Sequence, residues 1–92
     1  MNRILVLEGE SDARNNLVFM LNGNGFEAIG VESGHGIYEY LRHVRPNIIL
    51  LSHDLPSGPN GLELIKLVRQ NPDFSVIPII MMSLDGAHEL KI

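Results

Sequence analysis

Ser52, His53 and Asp54 put a hydroxyl, an imidazole and a carboxylate on consecutive positions, directly after the apolar run Ile48-Ile49-Leu50-Leu51. A second polar stretch, Glu8-Gly9-Glu10-Ser11-Asp12, follows Ile4-Leu5-Val6-Leu7, and Glu32-Ser33-Gly34 and Ser83-Leu84-Asp85 stand in the same relation to two further runs. Carboxylates predominate in these stretches. Gathered around one crevice, such hard oxygen donors could hold magnesium, which takes one or two carboxylates and keeps several waters. A serine beside a histidine also raises nucleophilic chemistry. Neighbours at the end of a strand point to opposite faces, however, so a Ser52–His53 contact is not expected. His35, His43 and His88 lack ligand-like spacing and read as surface or turn residues. Ser33-Gly34-His35-Gly36 matches no dinucleotide or phosphate-loop fingerprint and reads as a loop. A self-contained hydrolase or transferase therefore lacks a nucleophile and base pair, and the chain is not read as an enzyme.

The elements that must position these residues follow from the apolar pattern. Ile4–Leu7, Ile48–Leu51 and Val76–Met82 are continuous apolar runs, rich in branched residues and too short for helices. Strands covered on both faces, as in a parallel sheet, have that composition. Phe26 to Val31 is a weaker strand interrupted by Gly30. Between the runs lie segments of helical period. Ala13, Leu17, Val18 and Leu21 share a face, Ser11 or Asp12 is available as a cap, and Gly23-Asn24-Gly25 is the stop. Gly36 to Val44 forms a second helix on the stripe Ile37, Tyr40 or Leu41, and Val44, ended by Pro46. Gly61 or Leu62 to Gln70 forms a third on Leu64, Leu67 and Val68. Asp85 to Ile92 reads as the opening turns of a fourth helix. Right-handed crossovers then give an α/β fold, an open parallel sheet with helices on both faces. In such a sheet ligands sit outside the carboxyl ends of the strands, where the four polar stretches fall.

Ninety-two residues allow a single domain with a small core. With 45% hydrophobic and 20% charged residues the chain has the composition of a folded domain. The absence of cysteine excludes disulfides, thiolate metal sites and cysteine nucleophiles, and points to a cytoplasmic protein. Seven dispersed basic residues against eleven acidic ones give a net charge of -4, so nucleic acid is not an expected partner. No run approaches the roughly 20 apolar residues of a membrane span or the ~7–15 of a signal-peptide core.

Four segments in unbroken order carry a family resemblance. They are Ile4 to Glu10, Arg45 to Pro56, Asn60-Gly61-Leu62-Glu63-Leu64 and Ile77 to Ser83. Together they resemble the receiver domains of two-component response regulators. The resemblance covers essentially the whole chain. It implies a flavodoxin-like, CheY-like sheet in the order 2-1-3-4-5 and an aspartate phosphorylated by a histidine kinase with bound magnesium. It also implies that residues 1–92 form one receiver-like domain that is C-terminally incomplete, lacking the fifth strand, its lysine and the last helix.

At the chemistry the match fails residue by residue. The family's acceptor aspartate falls on Ser52, six residues after Pro46 and four before Pro56. A serine without an adjacent base is a weak nucleophile and would form a stable ester in place of a reactive acyl phosphate. The family's paired metal-binding acids fall on Glu8 and Gly9, so one carboxylate is lengthened and the other absent. Glu10 lies one residue beyond the pair. Ser83 matches the hydroxyl that answers the phosphoryl oxygen. Asp54 is the alternative, displaced acceptor, set against a reading as a solvated turn residue beside Pro56. Glu8, Glu10 and Asp12 are weak magnesium candidates; the competing reading has them favouring the first helix through caps and dipole. No cofactor is therefore expected.

The resulting expectation is a pseudo-receiver that signals through protein contact, with a histidine kinase or output domain as candidate partner. The alternative is a magnesium-dependent response regulator phosphorylated on Asp54. Without a fifth strand, Val76–Met82 would be an open apolar edge, and without a last helix one sheet face would be uncovered. Either surface predicts homo-oligomers.

Overall fold

Parallel β-pairing dominates the structure, a computed structural model that describes residues 2–82 and 89–91. Eight elements follow in chain order: β1 (Arg3–Leu7), α1 (Ser11–Gly23), β2 (Glu27–Val31), α2 (Ile37–Val44), β3 (Ile48–Ser52), α3 (Gly61–Gln70), β4 (Ile79–Met82) and β5 (Glu89–Lys91). The strands lie in the order β2-β1-β3-β4-β5. The first four are parallel, with Leu5 opposite Ile29 on one side and Ile49 on the other. This is the flavodoxin-like arrangement expected from the continuous apolar runs.

The end of the chain corrects two expectations. A fifth strand is present, but it is short and antiparallel, with Ile80 opposite Lys91 and Met82 opposite Glu89. The β4 edge, expected to be open, is thus paired by the chain's own Glu89–Lys91. The helix expected over Asp85 to Ile92 gives way to this strand at 89–91, because unpaired N–H and C=O groups along β4 offer a ladder that a short helical turn cannot match. The rest of that helix, and Ser83, lie outside the described residues.

A third correction concerns the start of β4. The apolar run begins at Val76, yet the strand begins at Ile79 and Val76 is 87% exposed. Pro78 has no N–H to give to a ladder. Residues 71–77 instead wind through turns, with Phe74 N donating to Asn71 O at 3.0 Å and Ile77 N to Phe74 O at 3.1 Å. Arg69 secures them by donating to the carbonyls of Ser75 and Ile77, both at 2.8 Å.

The two faces of the sheet differ. On one, Leu5, Leu7, Ile49, Leu51, Ile79 and Met81 are buried with Ile37 and Leu41 of α2 and Leu64 and Val68 of α3. Leu41, not Tyr40, is the middle of the α2 stripe. On the other, α1 packs over β2 and β1, approaching closely enough at Gly30 that a Cβ there would lie 2.9 Å from Arg14 Cγ and 3.0 Å from Val18 Cγ2. The glycine that weakens β2 as a strand is what admits the helix. Ile48, Leu50, Ile80 and Met82, on the side facing away from α2 and α3, stay only half-buried, and no residue of α1 is fully buried.

Local signals end the helices as expected, with one costly exception. Asn60 and Glu63 form a reciprocal capping box at α3, with Glu63 N donating to Asn60 Oδ1 at 2.9 Å and Asn60 N to Glu63 Oε1 at 3.0 Å. At the end of α2, Arg45 takes the left-handed conformation, φ 50° and ψ 61°, which disfavours any residue with a Cβ. Arg45→Gly is expected to raise stability by about 1 kcal/mol in urea unfolding.

Candidate functional site

β1 and β3 end side by side. Leu7 pairs with Leu51, so the next residues along the two strands are Glu8 and Ser52, and Ser52 in turn pairs with Met82. Glu8, Ser52 and Met82 thus form one row at the carboxyl end of the sheet. The register follows from alternation: one residue of slip would turn Leu5, Leu7, Ile49 and Leu51 out of the core.

This row is closed to solvent at its polar members. Ser52 is 1% exposed and Glu8 5% exposed. Burying a carboxylate requires hydrogen-bonding partners. Glu8 Oε2 accepts from Glu10 N at 3.0 Å, and Glu8 N donates to Val31 O at 3.0 Å. Arg14 donates to the Glu8 backbone carbonyl at 2.9 Å. The side chain of Glu10 turns away to the helix: it is the N-cap of α1, accepting from Asp12 N at 3.2 Å and Ala13 N at 2.6 Å. Glu10 therefore fills the capping role expected of Ser11 or Asp12, its extended backbone (φ -86°, ψ 124°) leaving its carboxylate free to reach back to the first turn.

Gly9, where the resemblance calls for a second acid, is occupied from the far side of the site. A Cβ there would lie 2.3 Å from Pro56 Cδ and 2.9 Å from Pro56 Cγ, inside any tolerable contact. The proline ring belongs to the loop between β3 and α3 and is fixed to its backbone, so a side chain at position 9 has to displace that loop. Leu55, the preceding residue, is buried in the core and holds the loop in place. Nothing in the local sequence around Pro56 signals this role. It depends on the register that brings the ends of β1 and β3 together.

His53 and Asp54 face outward. His53 N donates to Met82 O at 2.8 Å, while its ring Nδ1 meets Asp54 Oδ1 at 3.2 Å, not Ser52. Both side chains are exposed and line a groove of about 430 Å³ with Leu55, Pro56, Asn60 and Leu62. The alternation that buries Ser52 thus sends His53 the other way, as expected.

Among the described residues the carboxylates named as magnesium candidates are each engaged or turned elsewhere. Glu8 is buried and engaged, Gly9 offers no ligand and its space is filled by proline, Glu10 caps a helix, and Asp54 turns to His53. Among the described residues no group of three or more His, Cys, Asp or Glu side chains is disposed to hold a metal ion. The structure therefore unites Glu8 and Ser52, and separates them from the functions of Glu10 and Asp54.

Comparison with known proteins agrees with this fold. PhoB, the phosphate regulon transcriptional regulatory protein of Klebsiella pneumoniae, is 34% identical over 90 residues, covering 98% of this chain and 39% of PhoB. The chain thus spans about two-fifths of that relative. A sensor protein from Polaromonas sp. JS666 superposes with a TM-score of 0.82 at 26% identity, over 89% of this chain and 65% of the other. The N-terminal domain of a response regulator receiver protein from Methanoculleus marisnigri JR1 gives 0.82 at 24% identity, over 95% and 74%, a likeness of fold. The family model described as "Response regulator receiver domain" matches residues 4–92. With four parallel strands in this order, three helices and that match over nearly its whole length, the chain belongs to the response regulator receiver domain family of two-component signalling.

Proposed function

We propose that this receiver domain is a pseudo-receiver, acting through protein contacts and not through aspartyl phosphorylation or catalysis. One observation carries the reading: Ser52, which the resemblance sets at the acceptor position, is 1% exposed, and Pro56 fills the side-chain space of Gly9, set at the neighbouring acid position. A serine hydroxyl needs a base to act as a nucleophile, and the adjacent histidine is directed elsewhere. Glu8 and Glu10 are both engaged in local hydrogen bonds, which weighs against a magnesium role for them. Asp54 is an exposed carboxylate two residues past Ser52, which favours it as the second reading. Incubation with phosphoramidate and magnesium, followed by intact-mass measurement, is expected to leave native protein and Asp54→Asn equally unmodified. A phosphate adduct that Asp54→Asn abolishes would establish Asp54 as a displaced acceptor.

The partner is a protein, either a histidine kinase or an output domain. PhoB is a transcriptional regulator and the Polaromonas relative a sensor, so both kinds of neighbour occur around such domains. A net charge of -4 does not favour nucleic acid, and Arg3 and Arg42 are paired with Glu27 and Glu39. Among the described residues no helix is long and apolar enough to cross a membrane.

Association with a second copy completes the proposal. The α1 side carries the half-buried Ile48, Leu50, Ile80 and Met82, and Phe19 on the outer surface of α1 is 82% exposed. Between Ala13 and Gly23 the only charged residue of α1 is Arg14, which is bonded to Glu8 O. An uncharged face is where two chains of net charge -4 meet with least repulsion. Sedimentation equilibrium should show dimers or larger species at micromolar concentration, shifted toward monomer by Phe19→Asp. A native protein that stays a folded monomer would contradict this.

A further inference from the structure

We propose that Asn24 is a site of spontaneous backbone modification, converting through a cyclic imide to aspartate and isoaspartate. Three Asn-Gly pairs occur in the chain: Asn22-Gly23, Asn24-Gly25 and Asn60-Gly61. In each, the glycine nitrogen can attack the side-chain carbonyl carbon of the asparagine without hindrance from a Cβ. At Asn24 the bond formed is Gly25 N to Asn24 Cγ, and the bond broken is Cγ to Nδ2. Ammonia leaves with the proton lost by the glycine nitrogen, and water then opens the five-membered ring at either carbonyl.

Their surroundings separate the three. Asn60 is locked in the capping box with Glu63, and Gly61 is buried, its Cβ position 3.2 Å from Ser52 O. Asn22 lies within α1, and its Oδ1 accepts from Ala28 N at 2.7 Å, fixing the carbonyl that would be attacked. Asn24 lies beyond the helix, exposed, with φ -110° and ψ 21°. Gly25 has φ 89° and no heavy atom within 4 Å of its Cβ position, so the peptide between them has room to rotate. The nucleophilic nitrogen is held only by a 3.4 Å contact to Asn22 O, the longest backbone hydrogen bond of this turn. Asn24 is also restrained by its N, which donates to Leu21 O at 3.0 Å, and by its Nδ2, which donates to Met20 O at 2.7 Å.

That restraint makes the product consequential. A carboxylate at position 24 cannot donate to Met20 O, and it sets negative charge at the carboxyl end of α1, where the helix dipole disfavours it. Isoaspartate also adds a backbone carbon to the turn that delivers the chain into β2. The last turn of α1 should therefore loosen in the converted fraction, with faster amide exchange there than in α3.

The test compares native protein with the same protein in concentrated urea, both held at mildly alkaline pH, with conversion mapped by peptide fragmentation that distinguishes isoaspartate. In native protein Asn24 is expected to convert about tenfold faster than Asn22 or Asn60, because a backbone N–H holds the Oδ1 on the carbon under attack in Asn22 and Asn60, whereas Asn24 is held at Nδ2. In urea the three should converge. Asn24→Gln should remove the product at 24 and leave the other two unchanged. Native conversion led by Asn22 or Asn60, or an intact native Asn24 when the unfolded chain has fully converted, would overturn the proposal.

Discussion

Gly9→Ala should destabilise the domain by about 1–3 kcal/mol, the usual cost of forcing added volume into a packed site. The effect comes from a single contact, the 2.3 Å approach of Pro56 Cδ to the position a Cβ would take. A flexible side chain could swing aside; a proline ring moves only with its backbone, and buried Leu55 anchors that backbone. Gly9→Asp should cost more, because it adds a carboxylate beside Glu8, itself 5% exposed. Ser52→Asp, alone or with Gly9→Asp, should therefore fail to create a magnesium site. The contact can be isolated by a double-mutant cycle. Pro56→Ala should recover most of the Gly9→Ala loss, whereas additive losses in urea unfolding would show that Pro56 is not the obstacle.

Leu41→Ala should cost about 2–5 kcal/mol, a large share of the roughly 5–15 kcal/mol that stabilises a small domain. Leu41 is 1% exposed and packs into the cluster formed with Leu5, Ile37, Ile49 and Leu64. Tyr40, one residue earlier, is 37% exposed, and Tyr40→Ala should change stability by about 0.5 kcal/mol or less. Thermal unfolding of the two variants side by side checks this. Equal losses would mean that α2 packs on the other stripe.

These two residues also show where the sequence is ambiguous. Ile37 and Val44 define the period of α2, but Tyr40 and Leu41 both fit it, and only packing against β1 and β3 selects Leu41. The strands were more legible. Continuous runs at Ile4 and Ile48 announce strands buried on both faces, and the pattern is independent of neighbours. Composition alone extends β4 back to Val76 and Ile77, while Pro78 and the turn held by Arg69 forbid the ladder there. β5 was missed because three residues, Glu89-Leu90-Lys91, carry no period of their own and take their conformation from the edge of β4.

At the site, the two prolines flanking β3 put Ser52 at its end, where the strand stops, since strand register is a local count. That Gly9 offers no carboxylate is likewise visible as a residue type. The occupant of that space is not, because Gly9 and Pro56 are 47 positions apart in sequence and meet only through strand pairing. The role of Glu10 was also hidden. Ser11 and Asp12 have better capping propensity, and Glu10 prevails because the chain leaving β1 places it, not them, ahead of the first helical turn.

The most direct measurement is the mass of the intact native protein after prolonged incubation with acetyl phosphate and magnesium, with and without subsequent hydroxylamine. A receiver with a buried Ser52 at the end of β3 and Pro56 filling the space beside Gly9 should return its unmodified mass under both treatments. A stoichiometric phosphate adduct that hydroxylamine removes would be an acyl phosphate, and would contradict the account.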